Sequence, residues 1–320
     1  MSHHTNRKVV IIGCGTVGTS YAYAMLNQRT CDTMILVDID QNRSRGEADD
    51  LNHGLAFASS NIKIKSGSYA DCGDADIVAL CAGAAQSAGE DRISLLQRNA
   101  AIFEDIVPRV EASGFDGVYL VATNPVDVMS RLTQILARAA PKKVIGTGTM
   151  LDSSRLRYHL AQYFTIDPRN IHAYVMGEHG DSEFVPWSQA FLSTKSLHAI
   201  VNENPNRFSM DRLHEIENEV RNSADKIISA KGGTCYGVAM AMTRLTAAIM
   251  GNEHSVFTPS VLLQGEYGRE GLYVGAPAVV DRNGIREIIK LQLTDQELTM
   301  FHHSCDVLYN AFDELAPYFV

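Results

Sequence analysis

The chain has 320 residues, of which 45% are hydrophobic and 20% charged, and a formal net charge of −9. This is ordinary globular composition, with enough chain for two domains or one large α/β unit. The negative balance argues against nucleic acid or an anionic membrane as the main partner, and an anionic small substrate would need local cations. No apolar run approaches ~18 residues, and the N-terminal MSHHTNRK has no signal-like apolar stretch. The six cysteines (Cys14, Cys31, Cys72, Cys81, Cys235 and Cys305) show no CxxC spacing, so reduced packing thiols and a cytoplasmic setting are expected.

In chain order, β-branched runs predict strands over Lys8–Ile12, Met34–Asp38, Ile62–Lys65, Asp76–Cys81, Gly117–Val121 and Lys143–Gly146. Helical patterns fall between most of them, at Thr16–Gln28, Arg43–Ala58, Asp91–Ala112 and Pro125–Ala139. Near-continuous apolar strands separated by helices imply a doubly wound parallel sheet covered on both faces. After Gly148 the texture changes: a helix over Asp152–Phe164, a strand over Ile171–Met176, then a Gly-rich loop. From Asp211 a single long helix is expected on the stripe Leu213, Ile216, Val220, Ala224, Ile227 and Ile228. A capping box, Thr294 to Glu297, opens the last helix, whose seam of Leu298, Phe301, Cys305, Leu308, Phe312 and Leu315 reads as packing. The division expected is residues 1–147 as a Rossmann domain and 148–320 as a mixed α+β domain, with a cleft between them.

Between the first strand and first helix stands Gly13-Cys14-Gly15-Thr16-Val17-Gly18. Alone, GxGxxG is a weak signal. In this context its glycines let backbone N–H groups approach a pyrophosphate at a helix N-terminus. Asp38 ends the next strand, where its carboxylate would accept from a ribose diol and repel a 2′-phosphate, favouring NAD over NADP.

Asp152 and Arg155 project from one helix face, which taken singly is an ion pair worth roughly 0–1 kcal/mol. His179, set in Gly177-Glu178-His179-Gly180, is likewise weak evidence alone. Together they supply what reduction of a 2-keto acid needs. Arg155 offers a planar fork for a carboxylate, and His179 a proton donor that titrates near neutrality. Asp152 would hold the other ring nitrogen, and Arg92, closing CAGAAQSAGEDR, is the cation that would polarise the carbonyl.

The stretches VVIIGCGTVG, LVDID, CAGAAQSAGEDR, LVATNPVDV, GTGTMLDSSRLRYHL, GEHGDSEFVPWS and KGGTCYGVAM span nearly the whole chain. In them the sequence resembles the lactate/malate dehydrogenase family, in its bacterial L-lactate branch. The resemblance implies NAD as cofactor, pyruvate and L-lactate as substrates, and a homotetramer. It makes His179 the acid/base catalyst, Asp152 its orienting carboxylate, Arg155 the substrate clamp and Arg92 the loop arginine. It also places Asn124 at nicotinamide ribose or substrate, and Thr234 in the substrate pocket. The resemblance implies no metal, and GEHGD lacks the HExxH spacing that would suggest one. Gln86 stands where malate dehydrogenases carry an Arg for a second carboxylate, so pyruvate is expected over oxaloacetate. Arg157, about 200° around the helix from Arg155, and His172 match residues that bind fructose 1,6-bisphosphate across a subunit interface. Cys235 and Gly233 replace a common aromatic and alanine, which loosens the expected pocket. The rival readings are a branched-chain 2-hydroxy-acid or malate dehydrogenase, and a catalytically silent nucleotide-binding protein on this fold.

Overall fold

The computed structural model describes residues 6–59, 61–84 and 92–315, and of Arg92 and Ile93 only the backbone. Six strands lie parallel: β1 (Lys8–Ile12), β2 (Thr33–Val37), β3 (Lys63–Ser66), β4 (Ile77–Leu80), β5 (Val118–Val121) and β6 (Val144–Gly146). Four helices fall among them: α1 (Thr16–Gln28), α2 (Gln41–His53), α3 (Arg92–Ala112) and α4 (Val126–Ala137). After β6 come α5 (Met150–Phe164), β7 (Ile171–His172), β8 (Phe191–Leu192), β9 (Lys195–Ser196), α6 (Leu197–Glu203), α7 (Met210–Arg221), α8 (Ser223–Lys231) and α9 (Tyr236–Gly251). The chain continues through β10 (Ser255–Phe257), β11 (Ser260–Gln264), β12 (Glu270–Gly275), β13 (Ala278–Asp281), β14 (Gly284–Ile288) and α10 (Asp295–Asp313).

Why the sheet is doubly covered is visible in the residue alternation of its strands. Val10, Ile12, Ile35, Val37, Val78 and Leu80 join one hydrophobic cluster, whereas Val9, Ile11, Met34, Leu36, Ile77 and Ala79 join another. Successive side chains point to opposite faces, so an all-apolar strand demands cover on both. α3, α4 and α10 cover the first face, while α1 and α9 cover the second. The sheet order is β12-β11-β6-β5-β4-β1-β2-β3, with β11 and β12 antiparallel additions from the second half. Strand order reverses between β1 and β4, and such a switch point opens a crevice at the strands' carboxyl ends. A third cluster, including Leu156, Leu160, Trp187, Leu213 and Ile216, packs α5 and α7 together around the remaining short strands. Among the described residues, no helix is long and apolar enough to cross a membrane.

Several expected elements change. The second helix begins earlier because the Asp40 side chain accepts from Asn42 and Arg43 N–H groups and caps it. The predicted strand Ile171–Met176 shrinks to β7, because Val175 donates its N–H to Ser153 Oγ and its carbonyl accepts from Thr149 Oγ1. The long helix from Asp211 is two helices broken at Asn222. Leu213, Ile216 and Val220 are buried, but Ile227 and Ile228 are exposed, so the break turns the second half of the stripe away from the core. The capping box of the last helix is present, with Thr294 and Glu297 bonding reciprocally.

Candidate active site

At the switch point the chain turns sharply after β1. Gly13 has φ +102°, and a Cβ there would lie 2.4 Å from the backbone nitrogen of Ala82. Gly18 is equally constrained, since its Cβ would stand 2.0 Å from the Gly13 carbonyl oxygen. A Cβ on Gly15 would meet nothing within 4 Å. Gly15 is also the N-cap of α1 and brings no side chain to its first N–H groups. Two glycines are thus required by close packing, and the third faces open space at a helix N-terminus, as an anion cradle requires. Half-buried Val17 packs its side chain into the second cluster beneath it. Asp38 lies just past β2, where Oδ2 accepts from Cys14 N at 2.7 Å and Oδ1 from Asp40 N at 3.0 Å. Each oxygen keeps a further lone pair for a ligand. These residues fit a dinucleotide.

In the second half of the chain, α5 presents Asp152 in its first turn, only 2% exposed. Its Oδ2 lies 2.6 Å from Nδ1 of His179, and its Oδ1 accepts from Arg155 Nη1 at 2.8 Å. One buried carboxylate therefore holds both an imidazole and a guanidinium. Burial alone would raise the Asp152 carboxyl, but the His179 and Arg155 charges outweigh it and hold it below its ordinary value. The same contact, led by the Asp152 charge, lifts His179 from 6.5 to about 9 against the opposing effect of burial. His179 is thus kept as a charged proton donor, with Nε2 as the ring nitrogen left for another partner.

The loop bearing His179 is fastened at several points. Gly177, at φ +98°, exchanges backbone hydrogen bonds with Gly275 of β12. Glu178 N donates to Ser304 Oγ of α10 at 2.6 Å. His179 N donates to Asp127 Oδ2 at 2.9 Å, and the other Asp127 oxygen accepts from Ser260 Oγ. Asp127 is 2% exposed in the first turn of α4, and burial pushes its carboxyl up to about 6.

Asp127 is absent from the sequence reading, although one signal was visible: it is the lone charge in the apolar run Val126 to Met129. Asn99 is a second such residue. Its Oδ1 accepts from Ala84 N at 2.8 Å and its Nδ2 donates to the Asn124 carbonyl at 2.8 Å. It thereby ties the end of the β4 segment to the turn after β5.

Of the other residues singled out, Asn124 is exposed beside a cis bond to Pro125, and Thr234 is half-buried in the turn between α8 and α9. A Cβ on Gly233 would meet nothing within 4 Å, and Cys235 is buried. Arg92 opens α3, while Gln86 lies outside the described residues. Arg157 spends both Nε and Nη2 on the Pro168 carbonyl, at 3.1 and 3.0 Å, and His172 is exposed on β7.

Known proteins are similar to this one along nearly the whole chain. Residues 7–146 match the lactate/malate dehydrogenase NAD binding domain, and residues 149–317 the alpha/beta C-terminal domain of the same enzymes. The chain is 47% identical over 319 residues to L-lactate dehydrogenase 1 of Peribacillus psychrosaccharolyticus, covering 100% of this chain and 99% of that one. It is 45% identical to the L-lactate dehydrogenase of Macrococcus caseolyticus, with 96% and 97% of the two chains covered. Among solved structures, a lactate dehydrogenase from a Medee basin deep-sea metagenome superposes with a TM-score of 0.95 at 45% identity, covering 97% and 99%. The ligand-bound minor L-lactate dehydrogenase of Enterococcus mundtii gives 0.94 at 44% identity, covering 97% and 98%. With both domain models matched in order along the chain, it belongs to the lactate/malate dehydrogenase family.

Proposed function

We propose that this protein is an NAD-dependent L-lactate dehydrogenase, interconverting pyruvate and L-lactate. One observation carries the reading: a single buried carboxylate, Asp152, holds both His179 and Arg155, so a proton donor and a carboxylate clamp are held by one group. The full-length likeness to bacterial L-lactate dehydrogenases supports it.

NADH would supply the hydride, held through the Gly13, Gly15, Val17 and Gly18 turn, with Asp38 on the ribose and Asn124 near the nicotinamide side. Arg155 takes the substrate carboxylate in a two-pronged bond. His179 gives the Nε2 proton to the carbonyl oxygen as it becomes an alkoxide, and takes it back in lactate oxidation. Asp152 keeps the imidazole in that tautomer and stabilises its charged form. Arg92 polarises the carbonyl, Thr234 lines the pocket, and neutral Gln86 makes oxaloacetate a poor substrate because its second charge finds no partner.

The same reading places the division between nucleotide and substrate domains near residue 147. It sets the enzyme in the cytoplasm as a homotetramer and makes Arg157 with His172 an anion site for fructose 1,6-bisphosphate. An effector there must displace the Pro168 carbonyl from Arg157. The test is NADH oxidation with pyruvate, oxaloacetate and a branched 2-keto acid, each with and without the bisphosphate. Pyruvate is expected to give the highest kcat/KM, with half-saturation lowered by the bisphosphate. Absence of pyruvate-dependent oxidation would overturn the reading, and a pyruvate curve unmoved by the bisphosphate would remove the effector site alone.

A further inference from the structure

The loop that carries His179 also carries an acid with no part in the reaction so far. Glu183 N donates to the Gly180 carbonyl at 3.1 Å, and its own carbonyl accepts from Arg221 Nη2 at 2.9 Å. The residue is 5% exposed. A carboxylate oxygen of Glu183, a ring nitrogen of His179 and a carboxylate oxygen of Asp152 all lie within 4.8 Å of one another. Among the described residues, no hydrogen bond reaches the Glu183 carboxyl oxygens. The two oxygens keep a little solvent contact rather than being fully buried, yet a carboxylate this enclosed and without protein donors is a costly group, whereas the neutral acid is tolerated.

The charged groups around it come from every neighbouring element. Asp152 and Arg155 face it from α5, His179 from its own loop and Arg221 from α7. Asp127 of α4 stands beyond His179. Arg221 is drawn to Glu217 at 3.5 Å, and Arg155 is bonded to Asp152, so both nearby cations already face another carboxylate. Burial first, and the Asp152 charge second, raise the Glu183 carboxyl well above the ordinary carboxylate range.

We propose that Glu183 is a positioning residue that keeps a proton beside the His179–Asp152 pair while the substrate carboxylate is bound, and that loss of this proton to solvent turns the carboxylate away. Ionised, Glu183 would add a negative charge next to Asp152 in the pocket that must accept an anion. Productive binding of a 2-keto acid then needs two protons in place, one on His179 and one on Glu183.

The inference rests on the dehydrogenase reading and is tested by the pH profile of kcat/KM for pyruvate at saturating NADH. The wild-type alkaline limb is expected to approach a slope of about −2 on logarithmic axes, and Glu183→Gln about −1, because each required proton contributes about one. Glu183→Asp, which keeps an acid, should restore the steeper limb. A wild-type slope of about −1, or the same slope in wild type and E183Q, would overturn the role of Glu183. A second readout is independent of turnover: the infrared C=O band of a protonated carboxyl near neutral pH, present in wild type and diminished in E183Q. Identical spectra would overturn it even if the variant were inactive. A wild-type enzyme that does not reduce pyruvate would instead remove the dehydrogenase reading, and the infrared comparison would still decide the state of Glu183.

Discussion

Replacing Asp152 by Asn keeps the shape of the acid that holds His179 and removes its charge. In the folded protein His179 stands at about 9 rather than 6.5, chiefly through the Asp152 charge. That difference favours the imidazolium by roughly 3 kcal/mol, and the His179 side chain is only 25% exposed, so screening by solvent is limited. Without the charge, burial still opposes ionisation, and His179 should fall to near or below about 6.5. From proton occupancy alone, the rate of pyruvate reduction should drop by roughly 1.3-fold at pH ~6, fourfold at pH ~7 and thirtyfold at pH ~8. Misplacement of the ring, or of Arg155 left without its charged partner, adds a factor independent of pH. The assay is kcat/KM for pyruvate in wild type and D152N across that range. A ratio constant from pH ~6 to ~8 would refute the electrostatic role and leave Asp152 a purely geometric support.

Asp127→Asn tests the other buried acid. The Asp127 carboxyl rises from 3.8 to about 6 chiefly through burial, so the folded chain binds that proton more tightly than the unfolded chain. Its contribution to stability therefore falls as pH climbs through that window, and D127N should gain up to roughly 3 kcal/mol relative to wild type between pH ~4 and ~7. Urea unfolding at the two pH values checks this, and parallel pH dependence would contradict it. Gln86→Arg should shift the ratio of kcat/KM from pyruvate toward oxaloacetate by at least about tenfold, since a buried charge gains a partner. A two-substrate assay reads the ratio, and an unmoved value would remove Gln86 from substrate selection.

The sheet was legible because each central strand is apolar on both faces, and few other structures bury four such residues in a row in strand after strand. The region from Ser255 to Ile288 was not, since its short strands are interrupted by Pro259, Gly265, Gly268 and Gly271 and show no sustained alternation. The break at Asn222 was hidden for the opposite reason. Three- and four-residue spacing runs straight through it, and periodicity cannot tell a buried turn from an exposed one. In the site, His179, Asp152 and Arg155 announced themselves by chemistry and spacing. Asp127 and Asn99 did not, because their work depends on partners brought close by folding: Asp127 reaches His179 from 52 positions away, and Asn99 reaches Asn124 from 25.

The hold of Ser304 on the loop that carries His179 gives α10 a part in when the site is assembled. Phe301, Cys305 and Leu308 of α10 pack with Val126, Met129 and Leu132 of α4, while Ser304 meets the backbone at Glu178. A growing chain on the ribosome would possess its nucleotide cradle long before it could seat His179. Assembly of the site thus waits on a segment made 126 positions after the residue it holds.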